Sequence, residues 1–183
     1  EEAFRAAAKN DIPQFKFLND ERRADMHNHA TQRYIRRIEE RLEELEISVA
    51  TINSDCYPLL LKNIYDPPYV LFYKGTLYSE HRLPIAIIGA REPSDYGRRM
   101  ARQIAEDLAR SGACIISGLA YGLDRVAAEG ALDAEGNDYP TIAVLGNGPN
   151  VVYPSVNRDV YDLIAKRGAI VSEFMPGIAP TPS

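Results

Sequence analysis

The sequence predicts an α/β protein built on a mainly parallel sheet, and three features of its second half carry that expectation. Four apolar runs without polar alternation, "PIAIIG", "ACIIS", "TIAVLG" and "AIVSE", lie between residues 84 and 173. Strands of this kind are buried on both faces, as a parallel sheet requires. Segments with helical spacing separate them, which gives a β-α-β-α-β-α-β order. Glycines at Gly112 and Gly168 stand where a helix must stop before the next strand begins. Together these describe a doubly wound, Rossmann-like domain over about residues 84–183, with a small N-terminal helical region ahead of it.

From the N-terminus, residues 1 to about 47 are highly charged and helical in pattern. In "TQRYIRRIEERLEELEI", Tyr34, Ile38, Leu42 and Leu45 recur at helical spacing, with Thr31 placed as N-cap. The Arg and Glu residues between them read as a solvated face. A short β-like piece, "SVATIN", follows. The connector "CYPLLLKNIYDPPYVLFYKGTL" excludes helix at Pro67-Pro68 and offers a short strand in "YVLFYKG". The expected divisions are a helical region over 1–56, a connector over 57–83 and the Rossmann-like domain over 84–183. Within that domain, "YGRRMARQIAEDLARSG" is a helix whose apolar stripe is read as Met100, Ile104 and Leu108. The other helices are "DRVAAEGALDAE" and "NRDVYDLIAKRG".

At 183 residues and 45% hydrophobic content, the chain has enough material for one domain of ordinary size and a small appendage. No apolar run approaches the ~20 residues of a membrane span, so no membrane partner is expected. The opening "EEAFRAAAKN" lacks the apolar core of a signal peptide. Cys56 and Cys114 are too few for a disulfide framework or a metal quartet. Both points fit a cytoplasmic protein in a reducing compartment. The chain has no initiator Met and stops at "PGIAPTPS", as a piece of a longer protein would. A net charge of -5 argues against nonspecific coating of nucleic acid and leaves room for a local basic groove.

In open parallel sheets, ligands sit beyond the C-terminal ends of the strands. Those ends read "GAREPSDYG", "SGLAYGLD", "GNGPNVVYPSVN" and "SEFMPG", all rich in Gly, Ser, Asn and Pro. In the first, Gly89 lets the backbone leave the strand, and Ser94 is an N-cap. Arg91 adds a planar cation suited to phosphate, beside the free N–H groups of a helix start. The plainer alternative is a solvated Arg91 and a Ser94 that only caps. In the second, Ser117 and Gly118 follow a strand directly, and Gly118 marks a place where a ligand or a neighbouring loop approaches the backbone. Asp124, in the next helix's first turn, has a structural explanation in the helix dipole. In the third, Gly146 and Gly148 offer a cradle for an anion. Tyr153 either stacks on a base or packs over the rim. Arg158, a cation at a helix start, calls for an anionic partner.

The chain carries no Walker-type loop, no H-E-x-x-H and no G-x-S-x-G elbow. Its histidines, His27, His29 and His81, all precede the domain. Asp124 and Glu173 are the rim carboxylates. No catalytic set, metal or cofactor is therefore expected, and the rim reads as built to hold phosphates.

Taken in order, "YPLLLKNIYDPPYVLFYKG", "IAIIGAREPSDYG", "IISGLAYGLDRVAAEGAL", "TIAVLGNGPNVVYPSVN" and "GAIVSEFMPG" resemble the bacterial DNA-processing protein A (DprA/Smf) family over roughly Tyr57 to Gly177. The resemblance implies an extended Rossmann-like domain that binds single-stranded DNA. It also implies protection of incoming strands in natural transformation, loading of a RecA-type recombinase, dimer formation and no chemical step. By motif position, the family's phosphate-contacting arginine falls on Arg91 and its Ser-Gly turn on Ser117 and Gly118. Its basic residue after the Tyr-Pro-x-x-Asn run falls near Arg158.

There are departures from the family pattern. Gly-Ala-Arg stands for the usual Gly-Thr-Arg, and Ala128 stands where a histidine is common. "EGNDYP" lengthens one connection, and the sequence stops before a Phe-Pro-x-Arg-Asn-Arg segment. Two other functions share the fold: cleavage of nucleoside monophosphates, which brings a Pro-Gly-Gly-x-Gly-Thr signature not found in these residues, and nucleotide sensing.

Overall fold

A computed structural model describes residue 21 and residues 32–78 and 83–181. The chain divides into two compact units, Glu1–Glu46 and Ile47–Ser183. The described part of the first is helix α1 (Gln32–Glu44) with the turn that follows it. Tyr34, Ile38, Leu42 and Leu45 are half-buried, while the Arg and Glu residues between them are exposed, as the spacing predicts. Arg41 and Glu44 pair at 3.0 Å on the open face. The expected N-cap, Thr31, lies outside the described residues, as do His27, His29 and His81.

The second unit is organised by a six-stranded sheet in the order β1-β2-β6-β5-β4-β3. Its elements are β1 (Ser48–Thr51), a single helical turn α2 (Leu59–Lys62), β2 (Val70–Gly75), β3 (Pro84–Ala86), α3 (Asp95–Arg110), β4 (Cys114–Ser117), α4 (Leu123–Asp133), β5 (Thr141–Leu145), a 3-10 turn (Ser155–Asn157), α5 (Arg158–Arg167) and β6 (Ala169–Ser172). β3, β4, β5 and β6 run parallel to one another. β1 and β2 extend the sheet antiparallel, with Phe72 opposite Ser172. The α/β class and the mainly parallel, Rossmann-like sheet are as the sequence predicts. "SVATIN" and "YVLFYKG" both become strands of the same sheet.

The four parallel strands follow one another in chain order, so each right-handed crossover returns on the same side. The described crossover helices therefore form one layer rather than the two that a doubly wound sheet carries. On that face Ile115, Ala143, Leu145 and Ile170 meet α3, α4 and α5. The opposite face presents Cys114, Ile116, Ile142 and Val171 to Tyr57, Leu61, Leu77 and Tyr139. That cover is partial. It leaves an apolar groove of about 590 Å³ along Leu59, Ile64, Ile116 and Val144. Burial on both faces, expected of all four strands, holds fully for β6; Val144 of β5 is 49% exposed and edge strand β3 is largely open.

Helix α3 also differs from its reading. The residues it buries are Ala105 and Ala109, with Leu108 packed beside them. Met100 and Ile104 face outward at 39% and 46% exposure. The reason lies in its partner: α4 offers Ala127 and Ala131. A Cβ on Gly130 would come within 2.3 Å of the Arg102 carbonyl oxygen. Two helices this close need small residues at the contact, so the bulky stripe turns away.

Candidate nucleic-acid interface

The parallel strands bring their C-terminal turns to one rim. Strand β3 ends early, at Ala86, yet the chain stays attached to β4: Ile87 N–H donates to the Ile116 carbonyl at 3.0 Å, and Ser117 Oγ–H donates to the Ile87 carbonyl at 2.8 Å. Ser117 is buried, and this bond is what its hydroxyl does. The first two turns then converge on one carboxylate. Asp124, 7% exposed in the first turn of α4, accepts from Gly89 N–H at 3.3 Å, Gly118 N–H at 3.2 Å and Ala120 N–H at 3.4 Å. A Cβ at Gly118 would lie 2.9 Å from its Oδ2. The close approach expected at Gly118 is thus made by Asp124. Gly89 is also closely approached: a Cβ there would meet the Leu123 side chain, whose end methyl lies at 2.4 Å and would have to turn aside.

Ser94 is the N-cap of α3, its Oγ accepting from Gly97 N–H at 3.2 Å. Arg91 is exposed just ahead of that helix start, with Glu92 and Asp95 also exposed in the same turn. The cation therefore stands in a turn of mixed charge. The helix start beside it carries the positive end of a 16-residue dipole.

The third turn is held by groups that the sequence reading missed. Asn147 Nδ2 donates to the Gly148 and Val151 carbonyls at 3.0 and 2.7 Å. Asn157, with no exposed surface, donates to the Leu119 and Ala120 carbonyls at 2.8 and 3.2 Å. Arg125 reaches over from α4 to the Val156 carbonyl at 2.8 Å, Asn157 Oδ1 at 3.1 Å and the Asp159 carboxylate at 2.7 Å. That guanidinium holds the Asp159 carboxyl below its ordinary range. Tyr161 donates its hydroxyl to the Pro149 carbonyl. The only sequence signals were Asp-Arg at the start of α4 and the Asn that ends the Tyr-Pro-x-x-Asn run.

The remaining expected residues are separated by exposure. Gly148 is buried: its N–H donates to the Ile178 carbonyl at 2.9 Å, and a Cβ would meet the Met175 carbonyl oxygen at 2.5 Å. Gly146 is exposed with open space around it. Tyr153 is 56% exposed, and Tyr121 and Phe174 add further exposed aromatic surface to neighbouring turns. Arg158, also exposed, lies over the Tyr161 ring, with its guanidinium carbon 5.9 Å from the centroid. The rim thus offers Arg91, Arg158 and several aromatic faces to solvent, while Ser117, Gly118 and Gly148 support it from within. Among the described residues, no group of His, Cys, Asp and Glu side chains comes together to hold a metal ion, and no helix is long and apolar enough to cross a membrane.

An α/β sheet whose strand ends form a rim of this kind belongs to the Rossmann-like class of ligand-binding folds. Comparison narrows the class: residues 48–183 match the family model described as DNA recombination-mediator protein A, and the chain belongs to that family. It is 43% identical over 128 residues to the protein Smf of Synechocystis sp., covering 68% of this chain and 31% of that protein. It is 39% identical over 139 residues to the DNA processing protein DprA of Bacillus subtilis, covering 75% of this chain and 46% of that protein. The chain thus spans less than half the length of these curated relatives.

Two solved structures are similar to it. DNA processing protein A of Streptococcus pneumoniae superposes with a TM-score of 0.68 at 30% identity, covering 98% of this chain and 64% of that one. The protein of the same name from Helicobacter pylori, solved to explain its unique single-stranded DNA binding mode, gives 0.62 at 30% identity, covering 75% and 60%.

Proposed function

We propose that this chain is the single-strand-holding part of a DNA-processing protein, acting by binding and without a chemical step. The observation that carries the reading is the exposed position of Arg91 just ahead of the start of α3, on a rim that also presents Tyr153 and Arg158. A strand would run along this rim with phosphates at Arg91, Arg158 and the helix start, and with bases against aromatic faces. The likeness to DNA processing proteins, one of them studied for its single-stranded DNA binding, supports the same reading. On that basis the protein protects incoming strands in natural transformation. It also hands them to a RecA-type recombinase, works as a homodimer and resides in the cytoplasm.

Binding of a labelled oligo-dT tests the core of this. Arg91→Ala is expected to weaken it about tenfold at moderate salt and to lower the salt slope by roughly one. Equal affinity in a folded Arg91→Ala variant would remove Arg91 from the site. Incubation with AMP separates the enzymatic alternative: intact nucleotide is expected, and release of free base would overturn the binding reading.

A further inference from the structure

Asp124 is a buried carboxylate, and among the described residues no ion pair neutralises it. A carboxylate that served only the dipole of its own helix would need nothing beyond the first turn of α4. Asp124 reaches further. One oxygen takes Gly89 N–H, 35 residues earlier in the chain and on the first turn; the other takes Gly118 and Ala120 N–H on the second. These backbone N–H groups follow adjacent strands β3 and β4, where the fold ordinarily offers amides to a ligand phosphate. An anion of the protein's own already fills that cradle.

We propose that Asp124 is a positioning residue for the single strand. Its carboxylate fastens the first turn to the second and uses the inner amides, so that phosphates are held at the outer edge, where Arg91 stands. The inference rests on the single-strand reading and adds a division of the rim into an inner, internally satisfied part and an outer, ligand-holding part. It also gives the rim a preference: a lone mononucleotide phosphate finds the inner cradle closed, while a polymer can lie across the outside.

Asp124→Asn keeps the shape and replaces one acceptor oxygen with a donor. The amide resonances of Gly89, Gly118 and Ala120 are expected to move upfield and exchange faster. Affinity for oligo-dT is expected to fall about tenfold. Thr141→Ala is the control: it removes a buried bond to the Ile115 carbonyl at the opposite end of β5. It is expected to lower stability and leave affinity unchanged. Amide changes in Asp124→Asn with wild-type affinity would overturn the proposal, and so would unmoved amides.

If Asp124→Asn does not fold, the wild-type chain decides. On saturation with oligo-dT, the Arg91 amide is expected to shift while those of Gly118 and Ala120 stay in place. Shifts at Gly118 and Ala120 would mean that phosphate displaces the carboxylate, and the proposal falls. A wild-type chain that does not bind oligo-dT defeats the functional reading; the fastening of the two turns is then still decided by the Gly89 and Gly118 amides.

Discussion

The helical face of the sheet is sealed by α3, α4 and α5, and Ile115 and Ile170 on it, with Ile164 of α5 against that face, have no exposed surface. The opposite face is covered by a connector with one helical turn, and a groove of about 590 Å³ runs past Val144. The side chains that fix the rim come from the sealed side or its loops: Asp124 and Arg125 from α4, Tyr161 from α5 and Asn157 from the 3-10 turn. Rim geometry is thus tied mainly to the face with the tighter packing; among the residues lining the groove, Ser172 also bonds the Asn147 carbonyl and the Phe174 N–H.

The largest expected effect lies on the sealed face. Ile170→Ala should lower the unfolding free energy by about 3 kcal/mol in urea titration, because the close-packed surroundings relax only in part. A loss under about 1 kcal/mol would break the comparison by showing that this face yields as readily as the other.

Tyr161→Phe comes next and separates the faces by pH. Burial, opposed by Arg158 and aided by Asp162, pushes the Tyr161 phenol up to about 12. In the unfolded chain it titrates near 10, at about that value for any tyrosine. The folded state therefore keeps its proton longer, so the contribution is whole below about pH 10 and lost as pH rises toward 12. Unfolding followed across that window should show a shallower decline in Tyr161→Phe than in wild type. Tyr57 and Tyr73, on the groove face, are also raised, each chiefly by burial. Both contribute to the slope that survives in Tyr161→Phe.

The smallest effect belongs to the groove. Val144→Thr keeps the shape and adds a hydroxyl at a half-exposed position, and stability should change by no more than about 0.5 kcal/mol. A cost comparable to that of Ile170→Ala would show the groove closed in solution.

The elements were legible because their punctuation is local. Gly112, at φ 93, ends α3 in the left-handed region where the sequence placed a stop. Gly168 also ends a helix, for another reason: a Cβ there would lie 1.9 Å from the Thr141 carbonyl oxygen, a contact that no local pattern reveals. The rim was legible because parallel crossovers bring strand ends together whatever their residues. Its internal wiring was not. Asp124 and Arg125 look like ordinary first-turn residues until the turns at 89 and 157 are folded against them. The buried face of α3 was misread because alanines weigh little in an apolar pattern, although a close helix pair needs them. Gly148 was read as an anion cradle because the loop that fills its space, around Met175 to Ile178, is far away in sequence.

The seat of Gly130 on the Arg102 carbonyl has a mechanical side. Arg102 stands near the middle of α3, and its guanidinium also reaches Glu129 at 3.1 Å and the Asp133 carboxylate. The helix is thus held at two places: at midspan by this seat, and at its start, where the Leu123 N–H donates to the Ala90 carbonyl at 3.1 Å and Asp124 accepts from the Gly89 N–H. Any side chain added at 130 must push α3 and α4 apart where Ala105, Ala109, Ala127 and Ala131 meet. Gly130 is thus the notch in which the two helices key together, with room there for a hydrogen alone.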